Sequence, residues 1–377
     1  MPDVEKIEDL VIYKDERYYS AFPSVCTLGD GRVLVAFRRA PDPRYLAGYA
    51  EEIKGWASHI HPNSHIAMME LGPDLKPAGG PRMITHNPDG ADQDGNTFVT
   101  SRGVVLVASF SWHPIPPEIY EKMEGKVHGF HMSFGSCFFL AGTFFISSPD
   151  GGRSWSERTY LPEVPDSEPV IEGRIPLRGG ALRGRPVELE DGRILAATYS
   201  SPRDGWKSWA YLYSSDDGGR SWRYERVIAR DDGGKVDMHE PGLFLTRSGR
   251  IVCFIRTTNI GDRLVTAESV DGGKTWSGWR TREVVGHPYD AVRLRDDRVF
   301  LIYGYRHEPY GIRARVLDPE CSDVDSAEEI VIRDDGLSGD IGYPSATLLP
   351  DGRVLATYYF YGEDGVRYIA GSVLEIG

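Results

Sequence analysis

One outline recurs along the chain: two short strands around a tight turn, recognisable at six places. The clearest copy runs from Gly342 to Tyr358. There Ser345 to Leu349 alternate toward Pro350-Asp351-Gly352, and Arg353 to Tyr359 are rich in β-branched and aromatic residues, the composition of a β-hairpin. The same outline runs from Pro23 to Phe37 around Asp30-Gly31, from Thr97 to Phe110 around Arg102-Gly103, and from Pro186 to Tyr199 around Asp191-Gly192. It returns from Pro241 to Arg256 around Ser248-Gly249 and from Ala291 to Tyr305 around Asp296-Asp297. Units that cannot each bury a face of their own demand a repeat architecture. The length of 377 residues, which would otherwise suggest two or three domains, is therefore read as one domain, residues 1–377.

A third strand follows each hairpin, and three of these end in nearly identical octapeptides: Ser148 to Trp155, Ser215 to Trp222 and Ser269 to Trp276. Their Asp accepts backbone N–H groups ahead of it, two glycines permit positive φ, and the Trp folds back onto the sheet. A fully buried Trp removes about 150–250 Å² from water, worth about 4–6 kcal/mol at most. Asp150, Asp217 and Asp271 are thus read as structural. The octapeptides resemble the Asp box, or bacterial neuraminidase repeat, of the sialidase superfamily. That resemblance implies an all-β, six-bladed β-propeller, as does a unit of four short strands used six times. Blades are expected to open near Phe22, Asp94, Arg185, Glu240, Tyr289 and Tyr343, with an insertion at 112–137 in the second. The sixth runs out after three strands, so Leu10 to Tyr13 is expected to supply its fourth and close the ring.

Composition narrows the function. A net charge of −13 argues against a nucleic-acid surface, which needs clustered Lys and Arg. The N-terminus has no apolar run behind a basic start, and no stretch approaches a membrane span. A cytoplasmic protein with no membrane partner is expected. Cys26, Cys137, Cys253 and Cys321 are far apart and read as free thiols. No metal-ligand spacing occurs, so neither metal nor cofactor is expected. His59 and His61 are read as loop residues, since no third ligand stands at a regular spacing.

Propeller geometry sorts the remaining residues. The Asp-Gly-Arg turns and the Asp boxes share one side, so residues entering strand one and leaving strand two gather on the other. That ring holds Tyr19, Arg38, Arg39, Asp92, Asp94, Trp112, Arg183, Arg185, Arg203, His239, Glu240, Arg256, Asp290, Arg306, His307, Arg313, Asp340 and Tyr343. Such a concentration of ionisable groups marks an active-site mouth.

Within it, three positions are similar to the sialidase catalytic pattern. Tyr343, before Pro344-Ser345, stands where the family carries a nucleophilic tyrosine; Glu240, in His239-Glu240-Pro241-Gly242, stands where it carries the tyrosine's base; Arg256 stands where it carries a carboxylate-binding arginine. Arg313 is the best match for another such arginine. The family's first-blade Arg-Ile-Pro is replaced by Ala21-Phe22-Pro23, and Arg38 or Arg39 is the expected substitute. Arg174-Ile175-Pro176 lies out of context. Asp94 is favoured as acid over Asp42, Glu51 and Glu52, and Arg185, His239 and His307 are further candidates for holding substrate. Trp112, Trp206, Trp209 and Tyr305 either face a sugar ring or pack the blade. The resemblance implies an exo-acting glycoside hydrolase on a terminal, acidic sugar, with a carbohydrate as partner. A uronic-acid lyase and a non-catalytic sugar-binding propeller are the alternatives.

Overall fold

The computed structural model describes residues 4–42, 59–88, 90–123, 125–128, 130–133, 136–203 and 205–377. Among them, antiparallel strands form six sheets, the blades of a β-propeller. The first comprises Tyr18–Thr27, Val33–Pro41, His65–Leu71 and Arg82–Met83. In the second, Ala91–Asp92 and Asn96–Val99 both pair with Val105–Ile115, followed by Ser136–Ser148 and Thr159–Tyr160, and the insertion adds Phe130–Ser133. The third, fourth and fifth open with Val187–Glu188, Met238–Leu245 and Tyr289–Arg293. The sixth contains Gly342–Leu348, Val354–Tyr361 and Arg367–Ile376, and its outer strand is Val4–Tyr13. Val4 lies opposite Ile376 and Tyr13 opposite Ile369, so the closing strand is longer than the Leu10 to Tyr13 read from the sequence. Alternating Val, Ile, Leu, Phe and Tyr side chains interlock between neighbouring blades, as in the shared cluster of Val25, Phe37, Leu355 and Val373.

The turn side is held by a recurrent latch. In each Asp box the leading Ser and the Asp bind the turn; Ser154 N and Arg153 N, for example, donate to Asp150 at 2.9 and 3.0 Å. The hairpin arginines then reach sideways: Arg32 donates to Gly151 O of the next blade at 3.2 Å, and Arg193 to Gly272 O at 2.9 Å. This explains why Arg recurs after Asp-Gly. The fifth blade carries a turn of the same kind that its sequence disguises, Asp318 accepting Glu320 N at 2.8 Å and Ser322 N at 3.1 Å. Trp222 stacks on Phe145 of the preceding blade, ring centroids 4.2 Å apart. Trp155, Trp222 and Trp276 are only half-buried, so full burial overstated their worth. All four cysteines are free and buried.

Candidate active site

Three blades open on the same local device. At Phe22-Pro23, Glu240-Pro241 and Tyr343-Pro344 the register slips by a β-bulge, and the residue before the proline takes φ of +54°, +46° and +50°. Such a conformation is unfavourable for bulky residues and recurs where a bulge re-aims a side chain next to a site. In the third blade Gly184 packs tightly against the start of the fourth, where a Cβ would meet Pro241 O at 2.1 Å. The first strands therefore converge tightly and turn their side chains inward.

Tyr343, Glu240 and Arg256 meet there. The Tyr343 hydroxyl donates to Glu240 Oε1. One nitrogen of Arg256, Nη1, donates to Glu240 Oε2 at 2.8 Å and to Tyr343 Oη at 3.0 Å. Burial pushes the Glu240 carboxyl up, but the Arg256 guanidinium and the Tyr343 hydroxyl outweigh it and hold the group at about 2. Burial and then the Glu240 charge drive the Tyr343 phenol above its usual range, against Arg256 and Arg306. The pair is a neutral phenol on an ionised carboxylate, poised for proton transfer only as the phenol oxygen bonds elsewhere.

Asp94 completes the group. It is 4 % exposed, and burial raises its carboxyl to about 7, opposed by Arg183 and reinforced by Glu240. Arg183 ties it to the tyrosine: Nε stands 3.7 Å from Asp94 Oδ2, Nη2 donates to Tyr343 O at 2.8 Å, and the guanidinium carbon lies 5.2 Å from the Tyr343 ring centre.

Arginines leaving strand two supply the positive charge. Arg38 lies directly opposite Ala21, the position at which the resemblance leads an arginine to be expected. Fully buried beneath Tyr19 and Phe22, it is lowered to about 10 by that burial. Arg39 turns the other way, to His65 at 3.1 Å and the Tyr18 ring. Arg306 lies over the Tyr343 ring at 5.2 Å and donates to Ile341 O and Tyr359 Oη, each at 2.9 Å. Asp340 binds the rim together, accepting from Tyr19 at 2.9 Å, Tyr359 at 2.8 Å, Arg367 at 2.9 Å and His59 at 3.2 Å. Burial would raise this carboxyl, but His59 and Arg367 hold it well below the usual range.

Tyr343, Glu240, Asp94, Arg256 and Arg38 are thus brought together, and four other candidates are not. Arg313 is buried mid-strand in blade five and donates to the carbonyls of Arg333 and Pro309, with its guanidinium over Tyr305. Tyr305 accordingly packs the blade. Arg185 lies deeper along the axis, fastened to Asp290 at 2.7 Å, Ser345 Oγ at 3.0 Å and Ala346 O at 2.8 Å. His307 is half exposed and pairs with Asp262 at 3.1 Å, and His239 pairs with Asp237 at 3.1 Å on a neighbouring cavity wall. Arg174 is exposed in a loop. Asp42 is buried, and Glu51 and Glu52 lie outside the described residues. Arg306, read from the sequence only as a member of the ring, lies over the Tyr343 ring, whereas Arg313 does not. Tyr199 and Tyr359, facing the same centre, were not foreseen.

The model of the BNR repeat-like domain family matches residues 107–355. No curated protein matches the chain. A crystal structure of a protein of unknown function from Dyadobacter fermentans is 37% identical with a TM-score of 0.90, the match covering 100% of both chains. The NanB sialidase from Streptococcus pneumoniae is 15% identical with a TM-score of 0.66, covering 96% of this chain and 70% of the other. Trypanosoma rangeli sialidase is 13% identical with a TM-score of 0.63, covering 99% and 60%. With the family's model matched over more than half its length, the chain belongs to the BNR repeat-like domain family, and it shares its propeller fold with the sialidases.

Proposed function

We propose that the protein is an exo-acting glycoside hydrolase on a terminal, acidic sugar. The observation that carries this reading is the Tyr343 hydroxyl set on the Glu240 carboxylate with Arg256 bridging both. In the proposed reaction the Tyr343 oxygen bonds to the anomeric carbon as its proton passes to Glu240. The glycosidic oxygen leaves with a proton from Asp94. Water then displaces Tyr343, giving one proton to Asp94 and keeping the other on the product hydroxyl, while Glu240 returns to the phenolate the proton it took from Tyr343. A tyrosine suits a sugar whose carboxylate sits on the anomeric carbon and would repel an anionic nucleophile. Arg256, Arg306 and Arg38 would hold that carboxylate through planar guanidinium contacts.

A lyase on a uronic acid remains the second reading, since it too needs arginines and a tyrosine. The Tyr343 hydroxyl already set on the Glu240 carboxylate favours the hydrolase, in which that carboxylate takes the phenol proton as the oxygen bonds to carbon. The test is a panel of 4-methylumbelliferyl glycosides of sialic and glucuronic acids, run beside an ultraviolet assay on uronic-acid oligosaccharides. Release of the fluorophore supports the hydrolase; a new ultraviolet chromophore without it replaces that reading by the lyase; neither signal removes both.

A further inference from the structure

A glycan cleaved at its terminal residue must have somewhere for the rest of its chain to lie. The Tyr343 cluster is itself closed, with Tyr343 7 % exposed and Phe22 packed on its ring at 4.7 Å on the side of the first blade. On the opposite flank the molecule opens. A cavity of about 400 Å³ lies between the second and third blades, within the usual range of small-molecule sites. Its inner wall is Tyr199 and His239, rings 4.9 Å apart, and Tyr199 feels the charges of Glu240, Tyr343 and Asp94. Its outer walls are Trp112, Phe130 and Trp206, the first from the end of the second strand of blade two and the second from its inserted strand.

The chemistry of the lining is that of a sugar site. Aromatic planes accept the C–H faces of pyranose rings, and the groups between them, His128, His131, Glu168 and Ser208, suit hydroxyls. The aromatic surface does not stop at the cavity. Trp206 meets Trp209 at 5.7 Å, with Arg203 over the first ring and Arg230 over the second. A second hollow of about 340 Å³ continues past them along Tyr211 and Tyr224. Trp206 is 52 % exposed although it is a large aromatic residue, and no packing role accounts for that exposure.

Resting on the glycosidase reading, we propose that this cavity is the subsite for the sugar units beyond the scissile bond. The substrate is then an oligosaccharide of three or more residues whose chain passes between Trp112 and Trp206.

The Tyr343→Phe protein, which keeps Glu240 and Arg256 paired, allows binding to be read without turnover. Calorimetric titrations with 3′-sialyllactose, tri-galacturonic acid and chitotriose are compared with N-acetylneuraminic acid, galacturonic acid and N-acetylglucosamine. At least one trisaccharide is expected to bind about 10-fold tighter than its monosaccharide, an advantage of the size one stacked ring supplies. Adding Trp206→Ala, which should leave the melting temperature unchanged, is expected to abolish most of that advantage and spare the monosaccharide. A trisaccharide no tighter than its monosaccharide, or an advantage that survives Trp206→Ala, overturns the subsite even if aryl glycosides are cleaved. Trp206-dependent binding without any turnover by the native protein keeps the subsite and overturns the hydrolase. Absence of all binding overturns both.

Discussion

The Arg256 guanidinium meets the Tyr343 hydroxyl at 3.0 Å through the same nitrogen that holds Glu240. One cation therefore sets the position of two groups from different blades. Removing either group has unequal consequences. Tyr343→Phe leaves the Arg256–Glu240 pair intact, so turnover should vanish with a melting temperature within a few degrees of the native value. Glu240→Gln should also abolish turnover, but it leaves a buried guanidinium without its counter-charge and should cost about 2–4 kcal/mol. Equal melting curves for the two variants would contradict this, and so would native-like rates in either.

Asp94 gives the pH dependence. As the acid it must be protonated, and its carboxyl is raised to about 7, so activity should fall as pH rises through about 7. The same group affects stability. A carboxyl raised above its unfolded value binds a proton in the folded state that the unfolded chain has lost, so its contribution is full below about pH 4 and is lost as pH approaches 7. Asp94→Asn should lower the rate and become more stable relative to the native protein as pH increases over that window. A pH-independent difference between the two melting temperatures would refute the assignment.

Arg306 and Arg313 separate binding from folding. Arg306→Ala removes a cation lying on the Tyr343 ring and should raise KM about 10-fold or more, one lost charged contact being worth about 1.5–3 kcal/mol. Arg313→Ala frees buried carbonyls and should cost a similar energy in stability while leaving kcat/KM near native. Steady-state kinetics and thermal melts on both variants decide it, and a KM effect confined to Arg313→Ala would reverse the roles.

Trp222→Ala should destabilise by about 1–3 kcal/mol, since the ring is half-buried and its chief contact is the Phe145 stack. KM should not move. A change in KM without a change in melting temperature would mean that the Asp-box side participates in binding.

The hairpin outline and the Asp boxes made the six blades legible, because each is a local signal repeated at a fixed place. Repetition also placed Tyr343, Glu240 and Arg256, which occupy corresponding ends of their strands. The same rule separates Arg306 from Arg313. Arg38, Arg256 and Arg306 all leave a second strand, whereas Arg313 lies within a third, where its side chain belongs to the blade interior. The left-handed bulges at Phe22, Glu240 and Tyr343 were marked by a following proline, yet nothing local distinguished them from ordinary strand starts. The aromatic cavity was the least legible part, because its walls come from the end of one blade's second strand, an inserted strand and a loop of the next.

The pairing of Val4 with Ile376 gives synthesis a direction. Val4–Tyr13 has no strand to pair with until Arg367–Ile376 follows it, while blades one to five can already assemble in order. Tyr343 belongs to the blade that waits. A growing chain thus carries Glu240 and Arg256 well before their phenol is seated, and the cluster is complete only when two strands far apart in sequence have been sewn together.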